Sequence, residues 1–215
     1  MIICFTAIFL GYNFKNDWLP SLNAFSQSRA LKQLPEVKSY QEAVVLIDTG
    51  QSRGTGFNID SEGLIVTNAH VVNNAKVVEI KFSRGNVYKG TKLASFPEVD
   101  LALIKIRGEN LPKLDLAENG AVSFGDKVII IGNPLGFPFM VSQGTVSGYA
   151  FLHSRLEPVL KIDGFIYKGN SGSPVINSQG KVIGIVFAVV ESAENSKEKV
   201  TGYAISVDSL IRRLK

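Results

Sequence analysis

Thr55-Gly56-Phe57-Asn58-Ile59-Asp60-Ser61-Glu62-Gly63-Leu64-Ile65-Val66-Thr67 (residues 55–67) sets two short apolar runs on either side of a polar insert that ends in glycine. The runs Thr55 to Ile59 and Leu64 to Thr67 are too short for stable helices and suit strands. Gly63 accepts the positive φ that a tight connection demands, so Asp60-Ser61-Glu62-Gly63 reads as the turn of a hairpin.

The same texture extends outward in both directions. Ala43 to Ile47, Lys76 to Phe82 and Val99 to Ile106 complete a first set of strands, with Arg84-Gly85-Asn86 as a further turn. Leu111 to Asn119, rich in turn formers, reads as a crossing to a second set. Its strands are expected at Lys127 to Gly132, Ser142 to Tyr149, Val159 to Asp163, Pro174 to Ile176, Lys181 to Val190 and Thr201 to Ile205, with Asn177-Ser178-Gln179-Gly180 as a hairpin loop. Only the tail reads as helical. There Val207, Leu210, Ile211 and Leu214 recur at helical spacing after Ser206, an N-cap residue, and Arg212, Arg213 and Lys215 suit the negative end of the dipole. The chain is therefore expected to be all-β, with two antiparallel barrels of similar size, residues 40–118 and 119–215, and a C-terminal helix.

With 215 residues and 45% hydrophobic composition the chain can bury a core without covalent staples. Cys4 is its only cysteine, so no internal disulfide can form. The net charge of +4 and the pI of about 9.1 come from Lys and Arg dispersed among Asp and Glu. No basic run interleaved with aromatics marks a nucleic-acid surface, so no nucleic-acid partner is expected. Residues 1–39 read as an apolar block, Met1 to Gly11, followed by a polar tether from Asn13 through Ser39. The block is shorter than the ~20 apolar residues of a membrane span. It resembles an export or anchor segment, which would place the remainder outside the cytoplasm, secreted or membrane-associated. Two distant histidines and one cysteine offer no ligand spacing, so neither a metal nor an organic cofactor is expected.

Chemistry concentrates at Lys168-Gly169-Asn170-Ser171-Gly172-Ser173-Pro174. Glycines flanking one serine let the backbone turn tightly and aim several N–H groups at one point, as acyl transfer requires. Gly169, Asn170 and Ser171 make the expected oxyanion hole, with the N–H groups of Gly169 and Ser171 as donors. A serine hydroxyl becomes nucleophilic when a neutral imidazole takes its proton and a carboxylate fixes the imidazole tautomer. His70, directly after the strand Leu64 to Thr67, is the candidate base, whereas His153 lies in a polar stretch. Asp100 is a lone carboxylate in the apolar run Val99 to Ile106, where an imidazole N–H would compensate its burial. Asp163 competes for that role and suits equally a task in holding the Ser171 loop.

Six ordered motifs carry a resemblance: Gly54-Thr55-Gly56-Phe57, Thr67-Asn68-Ala69-His70-Val71-Val72, Asp100-Leu101-Ala102-Leu103, Gly132-Asn133-Pro134-Leu135-Gly136, Gly144-Thr145-Val146-Ser147-Gly148 and Gly169-Asn170-Ser171-Gly172. Together they resemble the HtrA/Deg branch of trypsin-like serine proteases across Ala43 to Arg213. The resemblance implies two perpendicular six-stranded barrels with an active site in the cleft between them, where His70 and Asp100 meet Ser171. It implies cleavage of unfolded or damaged polypeptides through an acyl-enzyme, and a homo-oligomer, by family habit a trimer. Where the family usually has glycine, this chain has Ser173; a Cβ at a position needing positive φ would cost ~1 kcal/mol. That substitution motivates an alternative, a double barrel that binds or holds polypeptides without turnover. PDZ modules often follow in the family, and none follows within these 215 residues. Asn170 replaces the aspartate that digestive relatives pair with a freed N-terminus, so no activation by N-terminal processing is expected, and regulation is expected through loop ordering. In proteases of this type Phe165, Ile166, Ile185, Val186 and Phe187 would line the primary pocket. Their apolar character, without a carboxylate at the floor, predicts cleavage after small or medium aliphatic residues.

Overall fold

The computed structural model describes residues 22–118, 122–134, 137–152, 155, 157–164, 166–167, 169–190 and 200–215. Helices α1 (Leu22–Leu31) and α2 (Pro35–Ala43) lead into strands β1 (Val44–Asp48), β2 (Arg53–Asn58) and β3 (Leu64–Thr67). A one-turn helix α3 (Ala69–Val72) follows, then β4 (Val77–Phe82), β5 (Val87–Phe96) and β6 (Leu101–Lys105). These six strands close a barrel in the order β1-β2-β3-β6-β5-β4. The second barrel contains β7 (Lys127–Gly132), β8 (Met140–Ala150), β9 (Val159–Gly164), β10 (Pro174–Ile176), β11 (Val182–Val190) and β12 (Val200–Ser206). It closes as β7-β8-β9-β12-β11-β10, the connectivity of the first barrel repeated. Every strand pair in both barrels is antiparallel.

Three apolar clusters explain why many of the strands are apolar without alternation. On β6, Ala102 and Ile104 join Val45, Ile47, Ile65 and Ile80 inside the first barrel. Leu101 and Leu103, on the other face, pack with Phe57, Val66, Ile131, Val141, Ile185 and Leu210 between the barrels. The second barrel is filled by Val128, Ile130, Leu160, Ile162, Val175 and Ile183. A strand covered on both faces has no solvent side on which to place polar residues. Each fully buried Ile, Leu or Phe contributes about 1.5–3 kcal/mol, so the seam between the barrels holds them together as firmly as their interiors hold each one.

The hairpin 55–67 turns at Gly63, with φ +91° and its N–H on Asp60 O at 2.9 Å. The C-terminal helix α4 (Val207–Leu214) starts at Ser206, whose Oγ accepts from Asp208 N at 3.3 Å. β5 has no counterpart among the expected strands. Its alternation is exposed outward, and its one buried position is Gly90, which lies against Ile80, Ile104 and Ile106 and so carries no apolar side chain to signal it.

The expected polar tether carries helices instead. Only Ala24 and Ser28 of α1 are buried, too little for an amphipathic pattern; Leu31 packs against the cluster between the barrels, Phe25 meets the Phe137 ring edge-on, and polar side chains add to the hold. Ser28 Oγ accepts from Val141 N at 3.0 Å and Gln27 Oε1 from Gln143 N at 3.3 Å, both on β8. α2 begins at Pro35 and buries Val37 in the cluster between the barrels. Met1 to Gly11 lies outside the described residues. Among the described residues no helix is long and apolar enough to cross a membrane.

Candidate active site

β3 ends at Thr67 and α3 follows at once, which puts His70 on the rim of the first barrel. Its Nδ1 lies 2.8 Å from Asp100 Oδ2, and its backbone N–H donates to Asp100 Oδ1 at 3.0 Å. Both carboxylate oxygens are thus occupied by one histidine. Asp100 precedes β6 in the left-handed region at φ +58°, a conformation that Asp tolerates better than most residues. Asn68 Nδ2 donates to Asp100 O at 3.0 Å and braces that turn. The His70 side chain is 49% exposed and that of Asp100 16%, so the carboxylate is shielded while the ring reaches the cleft. Asp163, the competing carboxylate, accepts from Thr201 Oγ1 at 3.1 Å within the second barrel.

The Ser171 loop belongs to the second barrel but is fastened to the first. Thr55 N donates to Ser171 O at 2.9 Å, and Thr55 Oγ1 donates to Gly169 O at 3.1 Å. Thr67 Oγ1 donates to Thr55 O at 2.6 Å, which links the loop to the strand that delivers His70. Asn133 backs the clamp: its N–H donates to Thr55 Oγ1 at 2.9 Å and its Nδ2 to Val45 O at 3.1 Å. Gly172, at φ +85°, runs so close that a Cβ would collide with Thr55 O and approach Thr67 Oγ1. Gly169 is also left-handed, at φ +98°. Among the described residues, the N–H groups of Gly169 and Ser171 donate to no protein acceptor. Among the described residues, the Ser171 hydroxyl and the His70 ring are not hydrogen bonded to each other. Such contacts often tighten only when substrate binds.

The trypsin-like peptidase domain family matches residues 54–185, an interval that contains His70, Asp100 and Ser171. The chain belongs to this family. The chain is 39% identical over 144 residues to "Probable periplasmic serine endoprotease DegP-like" of Chlamydia pneumoniae, a match covering 66% of this chain and 30% of that protein. It therefore spans about a third of the length of such relatives. Among solved structures, the serine endoprotease from Yersinia pestis superposes with a TM-score of 0.72 at 29% identity, covering 82% of this chain and 63% of that one. An HtrA-type protease, AlgW, solved with a decapeptide, superposes with a TM-score of 0.72 at 25% identity, covering 82% and 64%. The HtrA/Deg resemblance read from the six motifs agrees with these matches.

In this trypsin-like peptidase domain the five expected pocket residues fall in different places. Phe165 lies outside the described residues. Ile166 and Val186 point into the second barrel, fully buried; Val186 meets the Ser171 loop through backbone, Gly172 N donating to Val186 O at 2.8 Å and Val186 N to Ser173 O at 2.9 Å. Ile166 also fills the space over Gly202 of β12, where a Cβ would strike its side chain. Ile185 and Phe187 face the cluster between the barrels. Thr55, Thr67 and Asn133, which build the clamp, were not singled out by sequence reasoning. Their signal is a polar residue in a buried strand or directly after one, with glycine flanking Thr55 and preceding Asn133.

Ser173 behaves differently from expectation. It does not occupy the left-handed region, so its Cβ brings no backbone strain, and the alternative of a binder without turnover loses that ground. Its hydroxyl is instead fully buried beside Gly132, with no hydrogen-bond partner among the described residues. An unsatisfied buried hydroxyl costs about 1–3 kcal/mol. Ser173→Ala is therefore expected to raise stability by about 1 kcal/mol, read as a higher denaturant midpoint at unchanged slope. A lower midpoint would mean that the hydroxyl is bonded in solution.

Proposed function

We propose that this chain is a serine endopeptidase in which Ser171 is the nucleophile, His70 the general base and Asp100 the group that orients the histidine. The observation that carries the reading is the 2.8 Å contact of His70 Nδ1 with Asp100 Oδ2, on the barrel whose Thr67 and Thr55 fasten the Ser171 loop. With Nδ1 donating to the carboxylate, Nε2 is left as the acceptor. As Ser171 Oγ attacks the scissile carbonyl carbon, its proton passes to Nε2 and the carbonyl oxygen becomes an oxyanion. The N–H groups of Gly169 and Ser171 receive that charge, each worth ~3 kcal/mol by the usual cost of removing such a donor. Collapse breaks the C–N bond, Nε2 returns the proton to the leaving amine, and an acyl-enzyme remains. Water, deprotonated by the same nitrogen, then releases the acid and regenerates Ser171.

The substrates are unfolded or damaged polypeptides outside the cytoplasm. The relatives named periplasmic serine endoproteases, and a structural neighbour holding a decapeptide, support this reading. Membrane association, read from the apolar N-terminal segment, and a homo-trimer, by family resemblance, are part of the proposal. The primary pocket accepts small or medium aliphatic residues. What supports this is charge: no acidic side chain hydrogen bonds to the Ser171 loop among the described residues. A peptide library is expected to show cleavage after Val, Ala or Ile, and strong preference for Arg or Lys would overturn the assignment. A fluorophosphonate probe tests the chemistry itself: it is expected to label Ser171, and absence of labelling at neutral pH in folded protein would reject the triad.

A further inference from the structure

Arg155 lies outside every motif that carries the resemblance, on the stretch between β8 and β9. Its side chain is only 13% exposed. Nη1 donates to Val99 O at 3.1 Å, the guanidinium carbon sits 3.7 Å from the centroid of the Phe187 ring, and Nη2 lies 3.8 Å from Asp100 Oδ2. A cation taken this far out of water needs an anion close by.

The surrounding charges show which anion that is. Glu98, two residues before Asp100, and Glu157, two residues after Arg155, both face α4. Arg213 reaches Glu98 at 3.4 Å and Glu157 at 3.7 Å, and Arg212 reaches Glu157 at 2.7 Å. The two glutamates are matched by the two arginines of the helix. Asp100, whose other partner is the half-exposed His70, is the carboxylate left for Arg155. Burial lowers the pKa of Arg155, while Asp100 and Glu157 oppose that shift; a guanidinium remains charged throughout the working pH range.

We propose that Arg155 is a positioning residue for the triad: it fixes the Asp100 carboxylate between ring, backbone and cation, and its charge acts on the imidazole through that carboxylate. The inference rests on the triad reading above. A positive charge beside Oδ2 offsets part of the carboxylate field at the imidazole, which makes the imidazolium less stable. Removing that charge is therefore expected to stabilise the imidazolium. The stacking on Phe187 and the bond to Val99 hold the guanidinium plane, so it acts as a fixed charge rather than a mobile one.

The test compares the whole chain with Arg155→Met, which keeps bulk and removes charge, and Arg155→Lys, which keeps charge and loses the planar fork. Arg155→Gln replaces Met should that variant fail to give native near-UV circular dichroism. His70 is titrated by NMR in a Ser171→Ala background, with its signals told from those of His153 by His153→Gln. The acid limb of kcat/KM is measured in parallel with Ser171 present. The expected result for Arg155→Met is an upward shift of His70 by about 0.5–1 pH unit, with the acid limb moving equally, and about a 3–10-fold loss of kcat/KM on that limb. Arg155→Lys is expected to restore most of the shift. An unmoved His70, or a loss of activity equal at all pH values, would overturn the proposal. Should the wild-type chain neither turn over nor label, a His70 that still shifts in Arg155→Met would reject the peptidase reading and keep the electrostatic link, and a His70 unmoved by that substitution would reject both.

Discussion

Replacing Ser171 with alanine is expected to lower kcat against an unfolded protein such as casein by about a millionfold, the scale on which a triad acting as one unit fails when its nucleophile goes. The bonds that seat the loop are backbone bonds. Thr55 N to Ser171 O and Gly172 N to Val186 O survive the substitution, and so does the Thr55 Oγ1 bond to Gly169 O. Stability and secondary structure should therefore be unchanged while turnover disappears. Mass spectrometry of casein fragments from wild type and Ser171→Ala decides the matter, and equal product formation by the two would remove Ser171 from the mechanism.

Asp100→Asn is expected to cost about ten-thousandfold in kcat with the fold intact, because it changes a tautomer rather than a shape. In the wild-type chain one carboxylate oxygen takes the backbone N–H of His70 and the other takes Nδ1–H. An amide keeps one oxygen for the backbone N–H and turns its NH2 toward Nδ1. Nδ1 must then accept, the ring proton moves to Nε2, and the nitrogen that should receive the serine proton already carries one. The same change leaves Arg155 facing a neutral group. Steady-state kinetics alongside thermal unfolding separates the outcomes: comparable losses of stability and rate would point to a structural role for Asp100 instead.

The legible parts of this protein are those where one residue type answers one physical demand. Gly63 and Gly180 mark hairpins because little else accepts their backbone angles cheaply, and Leu64–Thr67, Lys127–Gly132 and Pro174–Ile176 lie where the runs of apolar residues place them. Ser206 announces α4 as an N-cap. β5 was not legible because its buried point is a glycine, and α1 was not because its anchorage leans on Ser28 and Gln27 rather than on a continuous apolar stripe. At the site, His70 and Asp100 stood out as unusual side chains in apolar settings, and the structure brings them to 2.8 Å. Thr55, Thr67 and Asn133 did not stand out, since their work is done through single hydrogen bonds between segments far apart in the chain. Arg155 meets Asp100 only after both barrels have formed, and no local pattern records a contact of that kind.

The half-exposed ring of His70 has one nitrogen committed to a shielded carboxylate. What remains open to the surroundings is a single basic lone pair on Nε2. In the proposed triad the proton taken in bond cleavage and the proton taken from water in acyl release would both pass through that one atom, so an imidazole-directed reagent is expected to stop both half-reactions at once.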